Sequence, residues 1–441
     1  MSLKIYYMTF GCKVNQYETD HIMSIFSADG HIKTDTPEEA EVCIINSCTV
    51  TSHADTKLRH FIKRVRRESP ECLIVLCGCF PQAFPDKAGA LSECDLICGS
   101  KNKSSIPELV YKTIADKNLT GRVNISPYGA RSSFEPMTNT SSPEKTRAYI
   151  KIQDGCDMYC TYCIIPFARG HICSKPLEDI CHEAQQLAYS GHKELILTGI
   201  NLCCYGRDLG GGTRLIDAIK AVNRSALGIR IRLSSIEPEM ISDSDIAEMA
   251  SIPELCPHFH LSLQSGCDKV LKAMNRHYDT SEYYELVKKL RNAFENCAIT
   301  TDIMVGFPDE SEDDHKQSMK FAEKVGFASA HIFPYSPRSG TKAASSSGPI
   351  DKKIKSRRAA DMNRVCKELS LKYNMGFVGK TVEVLFERES CEEYHQGHSR
   401  EYILVKTARR GDSTLRRQIK KVRITEAYDD CCIGIIEEEE V

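Results

Sequence analysis

Short apolar runs alternate with helical segments twice along this chain, and that alternation restricts it to parallel sheets flanked by helices. In the first series the strand candidates are residues 3–8 (LKIYYM), 41–46 (EVCIIN) and 72–77 (CLIVLC). An amphipathic helix begins near Asn15, and a basic helical segment ends near Arg67. Residues 126–146 are rich in Ser, Pro, Thr and Gly and lack periodicity, which reads as a linker. The alternation then restarts, with strand candidates at 148–153, 194–199, 229–235, 259–266, 298–306 and 329–336. Six βα units predict a partial (β/α)6 barrel rather than an open sheet. A basic run, KKIKSRR (352–358), opens a helix to about residue 373. Short strands with Gly and charged turns follow, predicting a small β-barrel. The chain is therefore expected to be α/β, with units at 1–125, 147–373 and 374–441.

Composition narrows the setting. The chain has 441 residues, 22 cysteines and a net charge of −2. Its start, MSLKIYYMTFGC, has no basic and apolar secretory signal, and no apolar stretch reaches membrane-spanning length. The expected location is the cytoplasm, where so many cysteines read as ligands, buried small hydrophobes or redox thiols rather than disulfides.

Cys156, Cys160 and Cys163 stand in the run DGCDMYCTYCIIPFARG with C-x-x-x-C-x-x-C spacing. Iron–sulfur clusters are usually closed by four thiolates, so a compact triplet leaves one iron free for another ligand. The competing reading is zinc with a distant fourth ligand. Zinc sites usually pair cysteines two-and-two or with His, and no such partner stands nearby.

A second set emerges from topology. Cys12, Cys48 and Cys79 each lie just beyond one of the first three strand candidates. Ligands of open α/β sheets bind at the carboxyl ends of strands. The three thiols either converge there or are separate buried and loop cysteines. The same rule marks polar residues after the later strands: Asn201, Glu237, Gln264, Thr301, Asp302, Tyr335, Ser336 and Arg338.

The cluster loop, together with GCKVNQYETD, INSCTVT, GCFPQ, LSLQSGCDKVLKAMNRHY, DIMVGFPDE and FPYSPRSGTKAA, resembles the radical S-adenosylmethionine (SAM) methylthiotransferases over nearly the whole chain. GCKVNQYET with FPYSPRSGT resembles the subgroup acting on N6-threonylcarbamoyladenosine in tRNA. The resemblance implies two [4Fe–4S] clusters. Cys156, Cys160 and Cys163 would hold the SAM-cleaving cluster, and Cys12, Cys48 and Cys79 the auxiliary one. It implies SAM and tRNA as partners, an electron donor, and an RNA-binding TRAM barrel at the C-terminus. Tyr162, Arg169, Asn201, Glu237 and Gln264 are the expected SAM contacts. Tyr335 and Arg338 are expected on the substrate or auxiliary-cluster side.

Cys203 and Cys204 stand where the family has small residues, and read as replacements of glycine and serine. Cys391, Cys431 and Cys432 match no family ligand. RNA binding at near-neutral net charge requires local basic surface. The basic runs are 57–67, most of which reads as a solvated helix face, 352–358, and the cations between Arg409 and Arg423, which fall in the small barrel where phosphate contacts are expected. Alternative activities are methylthiolation of isopentenyladenosine tRNA or of a ribosomal protein, and, outside that class, iron–sulfur electron transfer.

Overall fold

Six parallel strands form the first sheet of the computed structural model, which describes residues 2–116, 122–129, 133–139, 145–346, 348–387, 393–409 and 414–437. They are β1 (Lys4–Thr9), β2 (Ile32–Lys33), β3 (Val42–Ser47), β4 (Leu73–Gly78), β5 (Leu96–Cys98) and β6 (Val123–Asn124). Their order is β2-β1-β3-β4-β5-β6. The central strands read as apolar runs because both faces are covered: Ile44, Ile45, Ile74 and Val75 have no exposed surface. The chain reverses its direction of winding between β1 and β3, the crevice where open α/β sheets bind ligands. Helix α1 (Lys13–Ala28) follows β1, and α2 (Ser52–Glu68) follows β3.

Six further strands follow in chain order: β7 (Ala148–Lys151), β8 (Glu194–Thr198), β9 (Arg230–Leu233), β10 (His258–Leu261), β11 (Ala298–Val305) and β12 (Ser329–Pro334). All their pairings are parallel, and a bridge from Ile231 to Leu255 joins the two halves. The expected open barrel is what forms. One strand is shorter than the sequence suggests: β10 ends at Leu261 rather than at residue 266. Gln264 there takes a left-handed backbone (φ 65°) and pairs only with Ile303.

Five strands close the C-terminal barrel: β13 (Thr381–Phe386), β14 (Tyr394–Ser399), β15 (Leu404–Ala408), β16 (Ile419–Ala427) and β17 (Cys432–Ile436). Strand β14 carries no apolar pattern. It points His395, Gly397 and Ser399 inward, and a side chain at Gly397 would strike the Leu385 carbonyl. Cys432 is an apolar member of this core and Cys431 is buried beside it. Cys391, Arg410 and residues 438–441 lie outside the described residues.

Segment 126–146 has no regular element among its described residues, yet parts of it are packed. The Met137 carbonyl accepts from Tyr17 Oη (2.8 Å) and Lys175 Nζ (2.7 Å), strapping α1 to the partial barrel.

The small barrel covers the starts of the partial-barrel strands. Arg232 donates to Glu194 at 2.8 and 2.9 Å and to the Ser399 and Arg400 carbonyls at 3.1 and 3.0 Å. Tyr402 stacks on His258, with ring centroids 4.3 Å apart. Burial pushes the Glu194 carboxyl up, but Arg232, Arg147 and Arg230 together outweigh it and hold it at about 2. The stabilisation is therefore complete above the ordinary carboxyl value of about 4.5 and is lost as pH falls towards about 2. The thermal midpoint should drop across that window, and Glu194→Gln should flatten the drop. An unchanged slope in the variant would remove Glu194 from this account.

Candidate iron–sulfur and SAM site

Each group of three cysteines is assembled by strand ends. Cys12 precedes α1 at the end of β1, Cys48 follows β3, and Cys79 follows β4. They converge. Gly11 has φ 125°, and a side chain there would lie 2.7 Å from Cys48 Cβ and 3.3 Å from Cys48 Sγ. Cys12 and Cys79 both face Asn15 Oδ1, at 3.8 and 3.9 Å. Burial, then the neighbouring Cys79 and Cys12, push the Cys48 thiol up to about 12. Thiols that hinder one another's ionisation in this way are close enough to share a cationic group, which would relieve the hindrance by deprotonating them.

The second group lies beyond β7. Gly155 (φ 70°) turns the chain into the loop, and any side chain there would overlap the His171 carbonyl. The loop is tied by Cys163 N–H to the Cys160 carbonyl (2.9 Å) and by Thr161 N–H to the Met274 carbonyl (3.0 Å). Burial, then Cys160, push the Cys163 thiol up to about 12. Among the described residues no three His, Cys, Asp or Glu side chains close tightly around one ion position.

One buried arginine donates to each group. Arg276 Nη1 reaches Cys160 Sγ at 3.3 Å, and its other arm pairs with Glu237. Arg169 Nε reaches Cys79 Sγ at 3.2 Å. Guanidinium is always charged and matches developing thiolate charge. Arg276 lies within LSLQSGCDKVLKAMNRHY, and neither it nor Asn15 nor Glu18 carries a signal in the sequence that marks it for the site. Arg169 was expected to contact SAM. In the structure its guanidinium meets Glu18, Asp154 (3.1 Å), Asn15 (2.6 Å) and Cys79.

The remaining candidates gather at the strand ends. Asn201 is 2% exposed, and neither side-chain amide atom has a partner among the described residues, as expected of a group aimed at a polar ligand. Glu237 lies between Arg276 and Cys203, whose thiol accepts from the Glu237 N–H at 3.3 Å. Cys203 thus props the Glu237 backbone. Cys204 is fully buried and packs on Met240. Tyr162 and Tyr335 both meet the Phe307 ring edge-on, and the Tyr335 hydroxyl has no partner. Arg338 crosses to the first sheet, pairing with Asp55 (2.8 Å) and donating to Thr49, the neighbour of Cys48. The Gln264 backbone bonds Asp302 and Met304. A surface cavity of about 930 Å³ lies at the starts of β3 and β4 and contains none of the six cysteines.

The group of Cys12, Cys48 and Cys79 is backed by a buried ionic cluster. Glu18 pairs with Lys103, Lys151 (2.8 Å) and Arg169, and Asp154 pairs with Lys151 (2.5 Å). Burial pushes the Glu18 carboxyl up, but Arg169, Lys103 and Lys151 together hold it well below the usual range.

Parallel sheets, a partial barrel and a three-cysteine loop at its strand ends define a radical-SAM-type iron–sulfur protein. The comparisons agree. The model of uncharacterized protein family UPF0004 matches residues 4–99, and that of the radical SAM superfamily matches residues 150–322. The chain is 37% identical over 399 residues to the threonylcarbamoyladenosine tRNA methylthiotransferase MtaB of Thermotoga maritima, covering 90% of this chain and 89% of that one. It is 36% identical over 387 residues to the tRNA-2-methylthio-N(6)-dimethylallyladenosine synthase of Caldicellulosiruptor saccharolyticus, covering 86% and 81%. The chain belongs to the radical SAM tRNA methylthiotransferase family. The radical SAM methyltransferase TsrM of Kitasatospora setae shares the fold, with TM-score 0.57 at 12% identity over 83% of this chain and 85% of that one.

Removing Glu18 leaves Lys151 and Arg169 with Asp154 alone, and Lys103 with no carboxylate partner among the described residues. Glu18→Ala should cost roughly 3–5 kcal/mol of stability, read from the denaturant midpoint. A loss below about 1 kcal/mol would mean that the cations are not held as described.

Proposed function

We propose that this protein is a cytoplasmic tRNA methylthiotransferase that adds a methylthio group to C2 of N6-threonylcarbamoyladenosine beside the anticodon. The observation that carries this reading is the pair of three-cysteine groups, one on each sheet, each with its own buried arginine donor. An electron carrier would more naturally close each cluster with a fourth cysteine. The threonylcarbamoyl preference is supported by the relative at 37% identity, and by a second MtaB, from Bacillus subtilis, at 32% over 95% of this chain. The synthase acting on dimethylallyladenosine, at 36%, supports the isopentenyl substrate as the second reading.

Cys156, Cys160 and Cys163 would hold one [4Fe–4S] cluster, and Cys12, Cys48 and Cys79 another. When bound, the clusters and SAM supply reductive cleavage to a carbon radical and the sulfur that the base receives, with electrons from a separate donor. The chain's own part is placement. Asn201 offers an unpartnered amide to a polar group at the strand ends. Glu237, oriented by Arg276 and Cys203, accepts hydrogen bonds there. Arg276 and Arg169 support negative charge on Cys160 and Cys79. Arg338 ties the loop after β12 to the Cys48 loop, fixing the two strand-end edges against each other. The adenosine must leave its stack to enter.

Anaerobically reconstituted protein should contain about eight irons per chain. Cys156→Ala should abolish deoxyadenosine formation while keeping about half of that iron; continued SAM cleavage would sink the assignment. Mass spectrometry of tRNA nucleosides from cells lacking the protein should show loss of 2-methylthio-N6-threonylcarbamoyladenosine. Loss of the isopentenyl analogue would transfer the assignment to the second reading.

A further inference from the structure

The C-terminal barrel sits at the wrong end of the strands to deliver a base by itself. Its contacts are to Arg230, Arg232 and His258, at or near the starts of β9 and β10, whereas the cysteine loop follows the end of β7. A five-residue strand separates such ends by ~17 Å. A long polyanion held at the barrel therefore needs a second hold beside the site.

Among the basic runs, 352–358 is partly engaged within the protein. Arg357 pairs with Glu312 at 2.6 Å, and Arg358 with Glu310 at 2.7 Å. Helix α2 differs. It buries Leu58, Phe61, Ile62 and Val65, and its opposite face is a shallow groove of about 490 Å³ lined by Thr56, Arg59, His60, Lys63, Arg64 and Arg67. Arg59 and Lys63 have no ion-pair partner among the described residues, whereas Arg64 and Arg67 share Glu68. The groove starts at the site. Thr51 caps α2 three residues after Cys48, and the Arg59 guanidinium lies 5.9 Å from the ring of Phe80, the residue after Cys79. From there the helix runs ~25 Å away from the cysteines. The spacing of 59, 63 and 67 aligns one cation per turn on that face.

We propose that the Arg59–Lys63–Arg67 face of α2 docks the phosphate backbone of the RNA stem while the barrel holds a second stretch of it. This rests on the tRNA reading above. Cations on a helix face contact phosphates without reading bases, so the surface contributes affinity and register rather than sequence choice.

The test is anisotropy of labelled tRNA with full-length, cluster-loaded protein across a salt series. The triple variant Arg59→Glu, Lys63→Glu, Arg67→Glu should bind at least about tenfold more weakly near 100 mM salt. Its plot of log affinity against log salt should be shallower by about 2–3, near 0.9 per lost phosphate contact. The neutral variant Arg59→Gln, Lys63→Gln, Arg67→Gln should fall between it and wild type, with iron content and unfolding midpoint reporting that both fold. Affinity and slope equal to those of a control, Lys288→Glu with Lys289→Glu on the helix Thr280–Ala293, would overturn the proposal. So would competition by polyglutamate as strong as that by duplex RNA of equal charge, which would assign the face to an acidic protein. Failure of the wild-type protein to bind tRNA at all would overturn the tRNA reading itself, and is distinguishable because it appears before any substitution is made.

Discussion

The contact on which most of this architecture depends is the buried ionic cluster around Glu18. One carboxylate from α1 faces Lys103 of its own sheet, and Lys151 and Arg169 of the partial barrel. Buried charge is tolerated only when paired and hydrogen-bonded, so the two sheets must meet in one registration for any of these groups to be satisfied. That registration carries Arg169, from the loop of one cysteine group, onto Cys79 of the other. Three cations oppose the two carboxylates of Glu18 and Asp154, leaving a positive excess beside thiols that metal binding would ionise.

Both cysteine groups follow from one rule of parallel sheets. Strand ends present backbone turns and short side chains at a common edge, so residues distant in sequence arrive together there. Arg338 joins the two edges by reaching from the loop after β12 to Thr49 and Asp55. The C-terminal barrel lies at the opposite ends, where Arg232, Glu194 and Tyr402 form the seal. The cysteine groups and the barrel thus lie at opposite ends of one layer of strands.

Much of the fold was legible in the sequence because parallel strands buried on both faces are continuous apolar runs. The runs at 41–46 and 72–77 stand one residue from β3 and β4. Strand β14 escaped because its inward positions are His395, Gly397 and Ser399, which fill a narrow barrel without an apolar signal. The short strands β2, β5 and β6 carry too few residues to show a period. The six cysteines were visible by spacing and by position after strands. Arg276, Asn15 and Glu18 were not, because nothing local distinguishes a buried charge with distant partners from a solvated one.

The sequence by itself determined the alternation that makes two parallel sheets, and the three-cysteine loop whose ligands are neighbours along the chain. Short-range spacing needs no folding to be read. Only the tertiary structure decided that Cys12, Cys48 and Cys79 share one place, that Arg169 reaches across to Cys79, and which basic runs are engaged internally. Those outcomes depend on where buried charges find partners across the sheets, and the desolvation that forces such pairing exists only once the chain has packed.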